Sequence, residues 1–177
     1  EFIETMERMK NRDLTNIMEM IEKAERVFVY GTGVVQANMA GELRRVFLYT
    51  NKVFHAVGNG TEIDTILNNV TKNDLFIIIS LSGDNETAVT LARALRGLHI
   101  PRIGIAKVGN TLLSKYCDDM ITFRYETFKV GMSDILYGST AHFFIISDFL
   151  FGLHVDLQTK LYVCLTHKRK DRCKEDD

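Results

Sequence analysis

The chain has 177 residues, 46% of them hydrophobic and 25% charged, with one proline and a formal net charge of −1. Those values fit one globular domain and exclude a disordered, collagen-like or linker-rich chain. The near-zero charge excludes a global field that would attract nucleic acid or an anionic membrane, and no apolar run approaches the roughly 18 residues that a membrane-spanning helix needs.

Two hydrophobic periods alternate along the chain. Phe2, Ile3, Met6 and Met9, then Leu14, Ile17, Ile21 and Ala24, recur at spacings of three and four and predict two helical segments within residues 1–24. The methionines at 6, 9, 18 and 20 read as helix-face packing rather than a metal-binding box. RVFVY at 26–30 predicts a short buried strand ending at Gly31, followed by a helix over 35–48 and a strand over 52–57. Thr61 is placed to cap a helix over 61–70, with Asp64 as the shortened acid of a capping box.

DLFIIIS at 74–80 is apolar on both faces, as a central strand of a parallel sheet must be. A helix over 85–98 gathers Ala88, Leu91, Ala92 and Leu95 on one face, and strands are expected over 102–106 and 120–123. The last helix is predicted over 133–153. Strands alternating with helices predict an α/β doubly wound fold: a five-stranded parallel sheet flanked by helices, with right-handed crossovers.

This divides the chain into an N-terminal helical segment (1–24), an α/β domain (25–156) and a C-terminal tail (157–177) whose mixed-sign end, from Lys168 to Asp177, reads as solvated. The sequence opens Glu1-Phe2 without a starting Met, as expected of a piece of something longer. Cys117, Cys164 and Cys173 are odd in number and contain no CxxC, which points to a reducing cytoplasm and away from disulfides or zinc. No metal and no cofactor are expected.

In such a sheet, ligands bind beyond the carboxyl ends of the strands, where the strand order reverses. Two loops stand out there. The first, Gly31-Thr32-Gly33-Val34-Val35, follows the first strand. It is not a dinucleotide fingerprint, because Gln36 stands where GxGxxG needs its last glycine and no acid ends the second strand. No GK[ST] occurs, so a P-loop is excluded.

The second loop runs from Ser80 to Thr87 (SLSGDNET) and opens a helix. Ser80 and Ser82, two residues apart, can turn their hydroxyls to one side; Gly83 admits close backbone approach, and Asn85 and Thr87 add donors in the first helical turn. With no Lys or Arg in the loop, a phosphate would be held by neutral donors and the helix dipole. The alternative is that Ser82 or Asp84 simply caps the helix, with Asp84 and Glu86 favouring its dipole.

Glu126, just past the fifth strand, is the acidic candidate for ligand contact. His55 and His142 could serve acid–base chemistry, but a lone histidine in a strand or on an apolar helix is more often structural.

These two loops, in this order on this pattern, resemble a SIS (sugar isomerase) domain, a flavodoxin-like fold, over about residues 24–151. The stretch Tyr137-Gly138-Ser139-Thr140-Ala141-His142 through Asp148 resembles the last helix of the RpiR-type transcriptional regulators. In that family a helix-turn-helix domain precedes a SIS domain that senses a phosphosugar. The resemblance implies phosphate at Ser80, Ser82, Gly83 and Asn85, with Thr87 as an addition, and sugar facing Gly31, Thr32, Gly33 and Val34. Val35 stands where the family carries a serine, and Asn85 where it carries a threonine.

The resemblance also implies a homodimer or homotetramer, with DNA contacted only through a domain absent from this chain and no membrane contact. It makes the helices within 1–24 a linker from that domain. The expected function is therefore a phosphosugar-sensing effector domain of a carbohydrate-metabolism regulator. An aldose–ketose sugar-phosphate isomerase and a SIS module that binds only a protein partner are the alternatives.

Overall fold

The structure, a computed structural model, describes residues 2–58 and 60–172. Helices α1 (Phe2–Asn11) and α2 (Thr15–Lys23) lead into β1 (Arg26–Gly31), and α3 (Val34–Phe47), β2 (Phe54–Val57) and α4 (Thr61–Leu67) follow. Then come β3 (Asp74–Ile79), α5 (Glu86–Gly97), β4 (Arg102–Lys107), a short 3-10 turn at Leu113–Lys115 and β5 (Asp119–Phe123). The five strands form one parallel sheet in the order β2-β1-β3-β4-β5. That is the expected doubly wound α/β architecture.

The sheet works as a two-sided partition because successive side chains point to opposite faces. Val27, Val29, Leu75, Ile77, Ile79, Ile103, Ile105, Ile121 and Phe123 bury one face against α1, α2, α3 and the last helix. Phe28, Tyr30, Phe76 and Ile78 bury the other against α4, α5 and the 3-10 turn. Every residue of β3 is buried, which is why its sequence shows no polar alternation. The N-terminal helices belong to this core: Met9, Leu14, Ile17, Met18 and Ile21 are all buried in it.

At the amino end of β3, Asp74 is fully buried and accepts from Arg26 Nε at 2.8 Å and Nη2 at 2.7 Å, and from the Thr71 amide at 2.6 Å. Burial by itself would push this carboxyl up; the Arg26 fork and the Thr71 donors outweigh it and hold the carboxyl below its usual range.

Two predicted helices are corrected. The fourth helix ends at Leu67, not 70, and its N-cap is Gly60. Thr61 is the first helical residue, and Glu62, not Asp64, reaches back to the Gly58 amide at 2.8 Å. The helix expected over 133–153 does not start there. Residues 128–137 form a hairpin of β6 (Phe128–Lys129) and β7 (Leu136–Tyr137), turned at Gly131 with φ +61, and α6 runs from Ala141 to Arg172. The left-handed Gly131 turns the chain back, and pairing of Leu136–Tyr137 with Phe128–Lys129 draws the first residues of the expected helix into a strand. The tail read from Lys168 onward lies outside the described residues from 173; up to Arg172 its backbone is helical.

Candidate functional site

β1 and β3 are neighbours, yet their crossovers lead in opposite directions: β1 connects through α3 to β2, and β3 through α5 to β4. A crevice opens between the carboxyl ends of such a pair. Gly31 pairs with Ile79 across the sheet, and the Thr32 amide donates to the Ile79 carbonyl at 3.0 Å. The fold therefore starts both loops side by side.

In the first loop, Gly31 lies hard against the opening turn of α3. A Cβ there would fall 2.2 Å from the Gln36 carbonyl carbon, so no larger residue fits. Gly33 is the extended N-cap of α3, and no side chain caps that helix. Its first-turn amides are thus left toward the carboxyl end of the sheet. Thr32 is half-buried, Gly33 is exposed, Val34 is 80% exposed, and Val35 packs against the core.

The second loop is folded by its own hydroxyls. Ser80 is fully buried and its Oγ accepts from the Gly83 amide at 3.2 Å; Ser82 Oγ accepts from the Asp84 amide at 3.1 Å. A hydroxyl that accepts from backbone keeps its proton to donate elsewhere. Ser82 is half-buried and so lies nearer solvent than Ser80. Gly83 takes φ +73, and a Cβ on it would fall 2.6 Å from Thr111 Cβ.

Neither Ser82 nor Asp84 is the N-cap of α5. Asn85 is, accepting from the Ala88 amide at 3.2 Å. Asp84 instead accepts from the Leu112 amide at 2.7 Å, while the Leu113 amide donates to the Gly83 carbonyl at 2.8 Å. The loop is thereby clamped to the segment after β4, with the Asp84 carboxylate turned to that side. Thr87, in the first turn of α5, lines an open groove of about 340 Å³ between α4 and α5 with Ile63 and Asp64.

The loop of Gly31, Thr32, Gly33 and Val34 thus starts beside the loop of Ser80, Ser82, Gly83 and Asn85, while Thr87 faces the α4 side. Glu126 is exposed, lies past the end of edge strand β5 and pairs with Arg124 at 3.1 Å. His142 is fully buried among the rings of Phe2, Phe123 and Tyr125, with Nδ1 at 3.0 Å from the Ser139 carbonyl oxygen. His55 is exposed on edge strand β2.

Among the described residues no group of three or more His, Cys, Asp or Glu could hold a metal. Burial pushes the Cys117 thiol up to about 12, which leaves it unreactive. Among the described residues no helix is long and apolar enough to cross a membrane. Sequence reasoning missed Thr111 and the Leu112 amide as supports of the second loop. They lie some thirty residues downstream, and no local pattern announces them.

Comparison with known proteins completes the picture. The SIS domain family model matches residues 20–146. The HTH-type transcriptional regulator GlvR of Bacillus subtilis (strain 168) is 33% identical over 150 residues, covering 84% of this chain and 58% of that protein. The chain therefore spans little more than half the length of that relative. Among solved structures, the sugar isomerase domain of an RpiR transcription factor from Sphaerobacter thermophilus superposes with a TM-score of 0.73 at 16% identity, covering 96% of this chain and 92% of that one. The Vibrio vulnificus NanR protein, solved with ManNAc-6P, gives a TM-score of 0.70 at 17% identity, covering 96% of this chain and 63% of that one. The structural likenesses carry the fold. The family match takes in all five strands of the main sheet and both crevice loops, and this chain belongs to the SIS domain family.

Proposed function

We propose that this chain is the phosphosugar-sensing effector domain of a transcriptional regulator of carbohydrate metabolism. The observation that carries the reading is the turn at Ser80 to Gly83. Two hydroxyls are locked as backbone acceptors with protons to spare, at the start of α5 and on the crevice between β1 and β3. Ser80, Ser82, Gly83 and Asn85 would hold the phosphate through neutral donors and the helix dipole, whereas Thr87, also expected there, faces the groove beside α4. Gly31, Thr32, Gly33 and Val34 would face the sugar, with Glu126 at the outer rim on the β5 side. Neutral donors suit reversible reading of a metabolite better than very tight capture.

The regulator assignment leans on the likeness to GlvR, whose name describes an HTH-type regulator, and on the NanR fold that holds ManNAc-6P. DNA would then be contacted by a helix-turn-helix domain outside this chain. Self-association as a homodimer or homotetramer in the cytoplasm belongs to the same reading.

Isomerisation would need a base and an acid at the sugar carbons. The two candidates are badly placed for that within one chain: His142 is enclosed by aromatic rings, and Glu126 stands beyond β5. The deciding experiment is calorimetric titration against sugar phosphates, each paired with its unphosphorylated sugar, with the recovered ligand analysed for isomerisation. Phosphate-dependent binding of an unchanged sugar is the expected result. Conversion between aldose and ketose would make the chain an enzyme, and no binding across a broad panel would favour a partner-binding module.

A further inference from the structure

A group of cations without counter-charges lies where α5 turns into β4, at the end of the sheet opposite the crevice. Arg93 and Arg96 stand three residues apart on α5, and both are exposed. Their guanidinium carbons lie 5.1 and 5.9 Å from the centre of the Tyr116 ring, so one aromatic side chain carries both. Arg96 Nη1 also donates to the Lys115 carbonyl at 2.9 Å, which ties the backbone of the exposed Lys115 to the pair.

Among the described residues no carboxylate pairs with Arg93, Arg96 or Lys115, whereas Arg12, Arg26, Arg45, Arg102 and Arg124 each have one. Like charges three apart on a helix repel one another, so the pair is costly until an anion neutralises it. The dipole of α5 explains a cation in its last turn, where Arg96 is. It does not explain Arg93, nearly a turn earlier, or Lys115, which belongs to the 3-10 turn.

Two hollows flank the pair. One, of about 250 Å³, sets Arg93 beside Val89 and Leu112; the other, of about 530 Å³, sets Arg96 beside His99 and Pro101. Leu112 is 45% exposed, so the first hollow offers an apolar contact next to a cation.

We propose that this face of α5 and the 3-10 turn is a docking surface for an acidic, partly apolar peptide segment of another protein. Its carboxylates would lie on Arg93, Arg96 and Lys115, and an apolar side chain would lie against Leu112. The unpaired cations select an anion, and two features select a peptide over a nucleic acid. Asp84 and Glu86 line the Arg93 hollow and Asp118 lines the Arg96 hollow, so a continuous row of phosphates would run into carboxylates. The net charge of −1 supplies no field to draw in a duplex.

A peptide can instead space its carboxylates over the cations and set neutral or apolar groups beside the acids. Tyrosine and arginine are the residue types that most often carry the energy of protein–protein contacts. Here the ring orders both guanidinium groups before any partner arrives, so less side-chain freedom is lost on binding. The surface is separate from the phosphosugar crevice and does not depend on that reading.

The test is fluorescence anisotropy at low salt, with the whole chain titrated into a labelled peptide of Glu, Leu, Gly and Ser. The same peptide with Gln for Glu and a labelled DNA duplex are run beside it. The Glu peptide is expected to bind, the other two about tenfold or more weaker, and added salt to weaken the Glu peptide. Arg93→Gln, which breaks no hydrogen bond of the fold, should raise the dissociation constant about threefold. Combined with Lys115→Gln the rise should reach about tenfold, with unchanged circular dichroism, while Lys72→Gln, an exposed cation ahead of β3, should change nothing. No binding of the Glu peptide at millimolar concentration, or equal binding of the Gln peptide, overturns the proposal. A duplex that binds as tightly as the Glu peptide overturns the choice of partner. Amide shifts of the nitrogen-15-labelled parent on titration with the Glu peptide need no variant: they centre on 93–99 and 112–116 if this surface is the site, and a different centre overturns it.

Discussion

Gly83→Ala tests the second loop directly. A methyl at this position meets two separate obstacles. The backbone is held at φ +73, where an L side chain costs about 1–2 kcal/mol. The new Cβ would also fall 2.6 Å from Thr111 Cβ and 2.7 Å from both Cγ2 and Oγ1, well inside contact distance. Thr111 is buried, so it cannot swing into solvent, and overpacking of this kind costs about 1–3 kcal/mol.

The expected loss is therefore about 2–5 kcal/mol from a total of ~5–15 kcal/mol. For a chain of this length that lowers Tm by roughly 5–20 °C. Urea unfolding monitored by circular dichroism measures it, with Gly97→Ala as the internal contrast. Gly97 closes α5 and has nothing within 4 Å of a built Cβ, so alanine there should be neutral or stabilising by up to about 1 kcal/mol. In a Thr111→Gly background the Gly83→Ala loss should shrink to the backbone part, about 1–2 kcal/mol. A Gly83→Ala protein within about 0.5 kcal/mol of the parent, well below the cost of either obstacle, would refute the geometry argued for this loop.

Other expectations can be checked on the same protein. Ser82→Ala should weaken phosphosugar binding by about 1–3 kcal/mol, roughly 5- to 150-fold by calorimetry, with little change in Tm; unchanged affinity removes Ser82 from the site. Asp74→Ala strands the Thr71 amide and frees the Arg26 fork, of which only the half-exposed arginine can turn to water, so a loss of about 2–4 kcal/mol in urea unfolding is expected. The parent should also lose this contribution on acidification: the carboxyl titrates lower folded than unfolded, so its stabilisation is present above about pH 4 and disappears as pH falls through the folded value.

His154 acts in the neutral range. Its ring is fully buried, with neither nitrogen hydrogen-bonded; burial pushes its pKa down, opposed by Glu22 and reinforced by Lys52. The unfolded chain takes up a proton that the folded chain resists, so stability is complete above about pH 6.5 and falls as pH drops through the folded value. Tm measured between pH 7 and 5 should decline, and His154→Leu should flatten that slope; an equal slope in both proteins would exclude His154 as its source.

Local pattern alone reaches a long way here. The unbroken apolar run at 74–79 marks β3 as central, and the two loops could be placed at strand ends because a strand of that kind must end in a turn carrying its polar groups. The alternation of the elements then points to a doubly wound sheet, while the pairing of β1 with β3 in the structure sets the two loops side by side. What failed locally was the stretch before α6. Ile135 and Leu136 fit either a helix face or a strand, and a short apolar run cannot separate the two. The cross-strand pairing of Phe128 with Tyr137 decides for a hairpin.

The finer parts of the site came only with the tertiary structure. Asp84 is a capping candidate by sequence, but the Leu112 amide, 28 residues away, claims its carboxylate and leaves the cap to Asn85. Thr111 closes over Gly83 and His154 is sealed beside Phe47 for the same reason. Propensity and periodicity act between residues a few positions apart, whereas the partner that claims a buried polar group is chosen only when distant segments are packed together.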